Sequence, residues 1–223
     1  MNEERNANIG PLVEDRAASV PGLTVIIPAN NEEAYLARCL EALLASEPAP
    51  CPVQVLVVAN ACTDNTVAVA RSFEQVATNI GWKLQVLDLA TPGKLHALNV
   101  GDDQALGDMR LYLDADVLVR PPLIRMIVAE LRAAPGPCYA SGRPEIAPAR
   151  SAVTRAYARF WQQLPFARSV APGFGLFAVN AAGRRRWGRF PNIISDDTYV
   201  RLQFAPHERR EVPASYEWPM IEG

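Results

Sequence analysis

The 223-residue chain has little of what secreted, zinc-clustered or membrane-spanning proteins are built on. Its four cysteines, Cys39, Cys51, Cys62 and Cys138, lie far apart with no CxxC pair. That spacing excludes paired-cysteine metal sites, and a disulfide framework is out of place in a chain this long. A reduced, cytoplasmic compartment fits, with Cys39 and Cys62 expected as buried thiols. Only two histidines are present, His96 and His207. His96 is expected to pack or to face water; His207 is read as a surface residue, with a late metal ligand as the alternative. No stretch approaches the roughly 20 apolar residues that span a bilayer. The formal net charge of -2 offers no electrostatic reason for a nucleic-acid partner. The one strongly basic run, Arg184-Arg185-Arg186, reads as a solvated helix face. Internal repeats and low-complexity segments are missing too.

What remains is an ordinary globular composition, about half apolar and 21% charged, enough for one sizeable domain. Residues 1–21 are polar, lack a signal-peptide core and read as a flexible leader. Residues 22–223 read as a single domain, and the run Glu217-Trp218-Pro219-Met220-Ile221-Glu222-Gly223 gives no clear stop to the fold, which suggests a longer natural chain.

Leu23 to Pro28 and Val53 to Ala59 are continuous apolar, β-branched runs, and so buried strands. Leu84 to Leu89 and Arg110 to Asp114 extend the series. Amphipathic helices separate them: one opened by an Asn30/Glu33 capping box and closed by Pro48 and Pro50, one capped by Thr63 or Asp64, one opened by Gly93, and one started by Pro121-Pro122. Apolar strands alternating with helices predict an α/β fold, a mainly parallel twisted sheet covered on both faces in the Rossmann-like manner. Beyond Cys138 the pattern weakens. Pro144 to Arg150 reads as a loop, and Leu176 to Val179 as a short strand after Gly173-Phe174-Gly175. Val153, Ala156, Tyr157, Phe160, Trp161 and Leu164 form a helical apolar stripe. Core packing is its expected use; the alternatives are peripheral membrane contact, a lipid-linked acceptor or a second copy in a homo-oligomer.

In sheets of this kind ligands sit beyond the carboxyl ends of the strands. Those ends offer Pro28-Ala29-Asn30-Asn31-Glu32, Asn60-Ala61-Cys62-Thr63-Asp64, Gly93-Lys94 and Asp114-Ala115-Asp116. Residues i and i+2 of an extended segment point the same way, so Asp114 and Asp116 are expected to face one pocket. Two carboxylates that close repel unless a cation intervenes, and Mg²⁺ or Mn²⁺ bridging to phosphates suits oxygen donors. Turn-forming aspartates are the other reading.

Taken together, LTVIIPANNEE, VVANACTDNT, GKLHALNVG and LYLDADV resemble, in order and spacing, the family 2 glycosyltransferases. Ser195-Asp196-Asp197-Thr198 resembles that family's acceptor-side acidic motif, so the likeness covers roughly residues 22 to 202. The resemblance implies a GT-A fold, with a nucleotide-binding half at about 22–116 and an acceptor-side half at about 117–223. It implies an inverting, metal-dependent transfer of a sugar from a nucleoside-diphosphate sugar to a sugar, lipid or small-molecule acceptor. Carried over, Pro28, Asn30 and Glu32 line the nucleotide pocket, and Lys94 lies near the nucleotide or its diphosphate. Asn60 stands where the family usually has an aspartate contacting the base, and Asp64 is shared between capping and ligand contact. Asp114 approaches the ribose or the metal, and Asp116 ligates it. Asp197 is the expected general base, with Asp196 as the alternative. The Gln-x-x-Arg-Trp motif of processive members is missing. Two other readings stay open: a haloacid-dehalogenase-type phosphatase, from the apolar strand ending in Asp-x-Asp-x-Val, and a non-catalytic nucleotide-sugar-binding module.

Overall fold

The structure, a computed structural model, describes residues 22–147, 151–161, 163 and 169–219. The leader at 1–21 lies outside the described residues, as do Leu164 and the side chains at 157 and 161. Eight strands follow in chain order: β1 Leu23–Ala29, β2 Val53–Asn60, β3 Lys83–Leu89, β4 Met109–Leu113, β5 Leu118–Val119, β6 Tyr139–Ile146, β7 Leu176–Val179 and β8 Arg209–Trp218. The helices are α1 Leu36–Leu44, α2 Thr66–Ser72, α3 Glu74–Asn79, α4 Lys94–Gln104, α5 Leu123–Ala133, α6 Ala152–Trp161, α7 Ala181–Arg184 and α8 Asp196–Leu202. Among the described residues the strands form one sheet in the order β3-β2-β1-β4-β7-β6-β8-β5.

The first four strands are parallel, with Val25 paired to Val55 on one side and to Leu111 on the other. Every residue of β1 and β2 is buried, as strands covered on both faces require. Alternation divides their side chains between two cores. Val25, Ile27, Val55 and Val57 pack with α1 and α5, while Ile26, Leu56 and Val58 pack with α4 and an aromatic group of Tyr112, Tyr139, Phe177 and Phe204. Helix α4 lies very close to the sheet. A Cβ at Gly101 would come within 2.5 Å of the Ile26 side chain, so only glycine fits there.

The second half turns the sheet mixed. Strand β7 runs antiparallel to both β4 and β6, and β8 runs parallel to β6 and antiparallel to β5. Pro144 to Ile146 belong to β6, where a loop was expected. Pro144 is tolerated because β7 pairs only with Tyr139 and Ala140; at Pro144 the strand has β8 on one side alone. The unanticipated β8 alternates, with Val212, Ala214 and Tyr216 buried between more open neighbours.

Three local expectations need correction. The Asn30/Glu33 capping box does not form, because α1 starts only at Leu36 and Asn30 donates its amide to the Asn60 carbonyl at 2.5 Å. These polar groups satisfy the neighbouring parallel loop instead of their own helix. The arginine run is not a uniform solvated face either. Arg184 pairs with Asp102 at 2.8 Å and lies over the Trp187 ring, Arg186 is exposed but pairs with Glu208, and Arg185 is exposed. Finally, the described members of the α6 stripe, Val153, Ala156 and Phe160, are not core. Val153 is 79% and Phe160 60% exposed, and Ala156 is exposed beside them.

Candidate active site at the carboxyl ends of the parallel strands

The loops after β1 and β2 are laced to one another. Thr66 Oγ1 accepts the Glu32 amide at 2.7 Å, and Asp64 Oδ2 accepts the Glu33 amide at 3.1 Å. Asp64 Oδ1 accepts the Thr66 amide at 3.0 Å, so its position at the start of α2 serves the capping role. Asn31 and Ala61 both hold positive φ, 57° and 50°, where these two loops turn back toward each other. The result is a rigid floor at the rim.

Asn60 ties that floor to the next loop. It is 2% exposed, donates to the Ala29 carbonyl at 2.8 Å and accepts the Gly93 amide at 2.9 Å. Gly93 in turn opens α4 with a φ of 126°, so Lys94 enters the rim at the first position of the helix. Only one other lysine, Lys83, occurs in the chain.

Asp114 and Asp116 reach the same place from a turn, not from an extended segment. Strand β4 ends at Leu113, and the Val117 amide closes back on the Asp114 carbonyl at 3.2 Å. The Asp114 amide donates to the Gly175 carbonyl at 2.8 Å, which brings the Gly173-Phe174-Gly175 turn over the site. That contact had no clear signature in the sequence beyond the two glycines themselves. Both have positive φ, and a Cβ at Gly173 would collide with the Tyr139 hydroxyl.

The outcome is a cleft of about 190 Å³ lined by Pro28, Asn30, Glu32, Asn60, Lys94, Asp114, Ala115 and Asp116. All seven residues assigned from the sequence to nucleotide or metal binding meet there. A second hollow adjoins it, sharing Pro28, Lys94 and Asp114 and adding Asp196 and Asp197 with Gly175 and Phe177. The acid pair is therefore continuous with the cleft. His96 and His207 are exposed and line neither.

Electrostatically the site is a crowd of carboxylates around one ammonium. Lys94 Nζ lies 2.7 Å from Asp114 Oδ1 and 3.0 Å from Asp196 Oδ1. Burial disfavours its charge, but the two carboxylates outweigh burial and hold its pKa above the ordinary lysine value. Asp114 is pushed up to about 6, first by burial and then by Asp196 and Asp116, against the pull of Lys94. Burial also raises Asp116. Glu32 rises through burial and through Asp116, Asp114 and Asp64. Beneath them Cys39, wholly buried, points its thiol at the Asp114 carbonyl at 3.7 Å; burial raises it, which marks a packing residue and not a nucleophile.

The two aspartates at the start of α8 differ. Asp196 is 7% exposed and holds Lys94. Asp197 is half-buried; its Oδ1 accepts the Ser195 hydroxyl and, at 2.6 Å, the Thr198 amide. Among the described residues no cation lies within ion-pairing distance of Asp197.

Among the described residues, no group of three or more His, Cys, Asp or Glu side chains is arranged to hold a metal alone. Mg²⁺ and Mn²⁺ do not require one, since one or two carboxylates with water and substrate phosphates suffice. Asp114 and Asp116, mutually repelling and open to the cleft, fit that donor set.

The family model described as "Glycosyl transferase family 2" matches residues 24–187. The 4,4'-diaponeurosporenoate glycosyltransferase of Staphylococcus aureus is 34% identical over 95 residues, 43% of this chain and 24% of that protein. S. aureus TarS superposes with a TM-score of 0.65 at 17% identity, over 89% of this chain and 36% of its own. A mannosyltransferase from Pyrobaculum calidifontis, solved with GDP-Man and Mn²⁺, superposes with a TM-score of 0.64 at 23% identity, over 90% of this chain and 57% of its own. The chain thus spans well under two thirds of these proteins. The strand order, the two-sided helical cover and these superpositions make the fold GT-A. With most of the described residues inside one family's match, the chain belongs to glycosyl transferase family 2.

Proposed function

We propose that this chain transfers a sugar from a nucleoside-diphosphate sugar to an acceptor hydroxyl, with metal assistance and inversion at the anomeric carbon. The observation that carries the reading is the convergence of Pro28, Asn30, Glu32, Asn60, Lys94, Asp114 and Asp116 on one cleft that runs into the Asp196/Asp197 hollow. The ligands named for structural neighbours, UDP-GlcNAc for a TarS fragment and GDP-Man with Mn²⁺ for the mannosyltransferase, support a nucleotide-sugar donor. A phosphatase of the haloacid-dehalogenase type finds no support, since the Asp-x-Asp turn follows the fourth strand of the chain and the family match is to glycosyl transfer.

In this reading Asp116 and Asp114 hold a divalent cation, Mn²⁺ or Mg²⁺. When bound, it supplies charge neutralisation for the departing diphosphate. Lys94 adds a fixed positive charge beside that leaving group. The acceptor oxygen attacks the anomeric carbon, the new C–O bond forms as the bond to diphosphate breaks, and the acceptor proton passes to a carboxylate. Asp197 suits that task better than Asp196, because Asp196 is already committed to Lys94. Asp196 then braces the lysine.

The test is calorimetric titration of UDP-, GDP- and TDP-sugars with Mn²⁺ into the wild type and into Asp116→Ala. Metal-dependent donor binding is expected in the wild type and lost in the variant. Unchanged Mn²⁺-dependent binding in Asp116→Ala would overturn the metal assignment.

A further inference from the structure

We infer, on the donor and metal reading above, that Lys94 is an exchangeable counter-cation. It holds Asp114 until the diphosphate of a donor draws it away, and so makes the binding of a divalent cation depend on the donor. The starting point is one ammonium shared by two acids. Lys94 Nζ lies 2.7 Å from Asp114 Oδ1 and 3.0 Å from Asp196 Oδ1. Among the described residues, Lys94 is the only basic side chain that lines either the cleft or the adjoining hollow. It therefore neutralises the very carboxylate that a metal would use.

A divalent ion takes a carboxylate oxygen at about 2.1 Å, so on Asp114 Oδ1 it would stand within about 5 Å of that ammonium. Two cations that close repel, and the lysine and the metal compete for Asp114 unless the lysine moves. Lys94 is placed to move. Its side chain is 44% exposed in an open cleft, on a flexible four-carbon stem. It stands at the first position of α4, whose first-turn amides have no partner within the helix and favour an anion. A diphosphate there offers the ammonium several anionic oxygens in place of one. Asp196, 7% exposed at the start of α8, stays as its anchor, so only the contact with Asp114 has to break. Asp114 is then released to the cation while the lysine charge serves the leaving group. By linkage, the metal strengthens donor binding by the same factor as the donor strengthens metal binding.

The experiment is Mn²⁺ titration of the full chain, read by electron paramagnetic resonance of the free ion at fixed pH and ionic strength. It is run without nucleotide and with saturating UDP, GDP or TDP in turn. Without nucleotide, Lys94→Met should bind Mn²⁺ at least about ten-fold more tightly than the wild type, the scale for one charge a few ångström away even at the dielectric of water. Lys83→Met removes the same charge from the amino end of β3, and should stay within about two-fold of the wild type because so distant a charge is screened. With nucleotide, the advantage of Lys94→Met should disappear, since the wild-type lysine has then left Asp114. If the unpaired Asp196 lowers the melting temperature of Lys94→Met, the double variant with Asp196→Asn, compared with Asp196→Asn alone, reads the same difference. Unchanged or weaker nucleotide-free Mn²⁺ binding in Lys94→Met would overturn the inference. So would an equal gain in Lys83→Met, or a gain that persists with nucleotide. Each of those results leaves the donor and metal reading standing, provided that the wild type binds Mn²⁺ with nucleotide. A wild type that binds no Mn²⁺ with any of the three nucleotides would sink that reading, and the inference with it.

Discussion

Asp196 and Asp197 are adjacent in sequence and alike in chemistry, yet their surroundings differ, and the roles proposed for them differ accordingly. A carboxylate that must receive a proton has to be free of a fixed cation when the proton arrives. Asp196 is not, with Lys94 Nζ at 3.0 Å. Among the described residues Asp197 is held by a hydroxyl and its neighbour's amide, which orient it without neutralising it. Asp197→Asn should therefore lower turnover by about two to four orders of magnitude with donor affinity nearly unchanged. Asp196→Asn removes a brace, and should instead alter donor affinity through Lys94 while costing turnover less. Steady-state kinetics with a verified acceptor, beside calorimetry of donor binding, separates the two. A larger turnover loss in Asp196→Asn would exchange the roles. The preference for Asp197 came with the family resemblance, but the lysine's reach was not legible in the sequence, because Lys94 and Asp196 lie far apart in the chain and meet only after the sheet closes.

At the scale of elements, legibility followed burial. Strands β1 and β2 are buried on both faces, so continuous Val, Ile and Leu announced them. Strand β6 carries Gly142, Arg143 and Pro144 and has an irregular register between Ser141 and Arg143, so its run looked like a loop. In β8 the alternation of Val212, Ala214 and Tyr216 was present but diluted by Pro213 and four charged residues. For α6 the period was readable and its direction was not, since periodicity shows that a helix has an apolar face without showing where the body lies. The cleft residues were easy to place because most sit at or just beyond the carboxyl end of a strand, with Lys94 opening the helix that follows β3. How they are fixed in place was harder to see. Asn60 illustrates this, since its amide bridges the end of β1 to the start of α4 from a nearly sealed position. Truncation removes one bond to the Ala29 carbonyl, which keeps the Cys62 thiol at 3.5 Å, and one from the amide of the exposed Gly93, and a lost hydrogen bond costs about 0.5–1.5 kcal/mol. Asn60→Ala should therefore lose about 1–3 kcal/mol of stability in urea unfolding, a fold-level effect beyond any contact with the nucleotide base. Stability within about 0.5 kcal/mol of wild type would show that the bridge is dispensable.

For the molecule as a whole, the acidic cleft makes stability depend on pH and on cations. Asp114 has a folded-state pKa of about 6 against an ordinary value of 3.8, and Glu32 and Asp116 are shifted the same way, each chiefly by burial. A carboxyl group raised in this manner holds its proton more tightly when folded. Its stabilising contribution is complete below the unfolded pKa and is lost as pH rises through the folded one. For Asp114 that window runs from about pH 4 to just above 6. The side chain is 32% exposed, so solvent screening holds the effect to the order of 1 kcal/mol, or about 2–4 °C in melting temperature for a chain of this size. Without metal, the melting temperature should therefore fall by a few degrees between pH 4.5 and 7 at constant ionic strength, apart from whatever other groups contribute. Asp114→Asn isolates the part due to this residue, since the amide cannot ionise and its slope over the window should be flatter. Mn²⁺ acts on the same charges in the opposite sense. It competes with protons for the carboxylates, so its stabilising effect should be small at pH 5 and grow above 6 as Asp114 ionises. Scanning calorimetry of both proteins, with and without Mn²⁺, reads all four curves. A Mn²⁺ effect that is independent of pH, or equal in Asp114→Asn, would mean that the cation binds away from this pair.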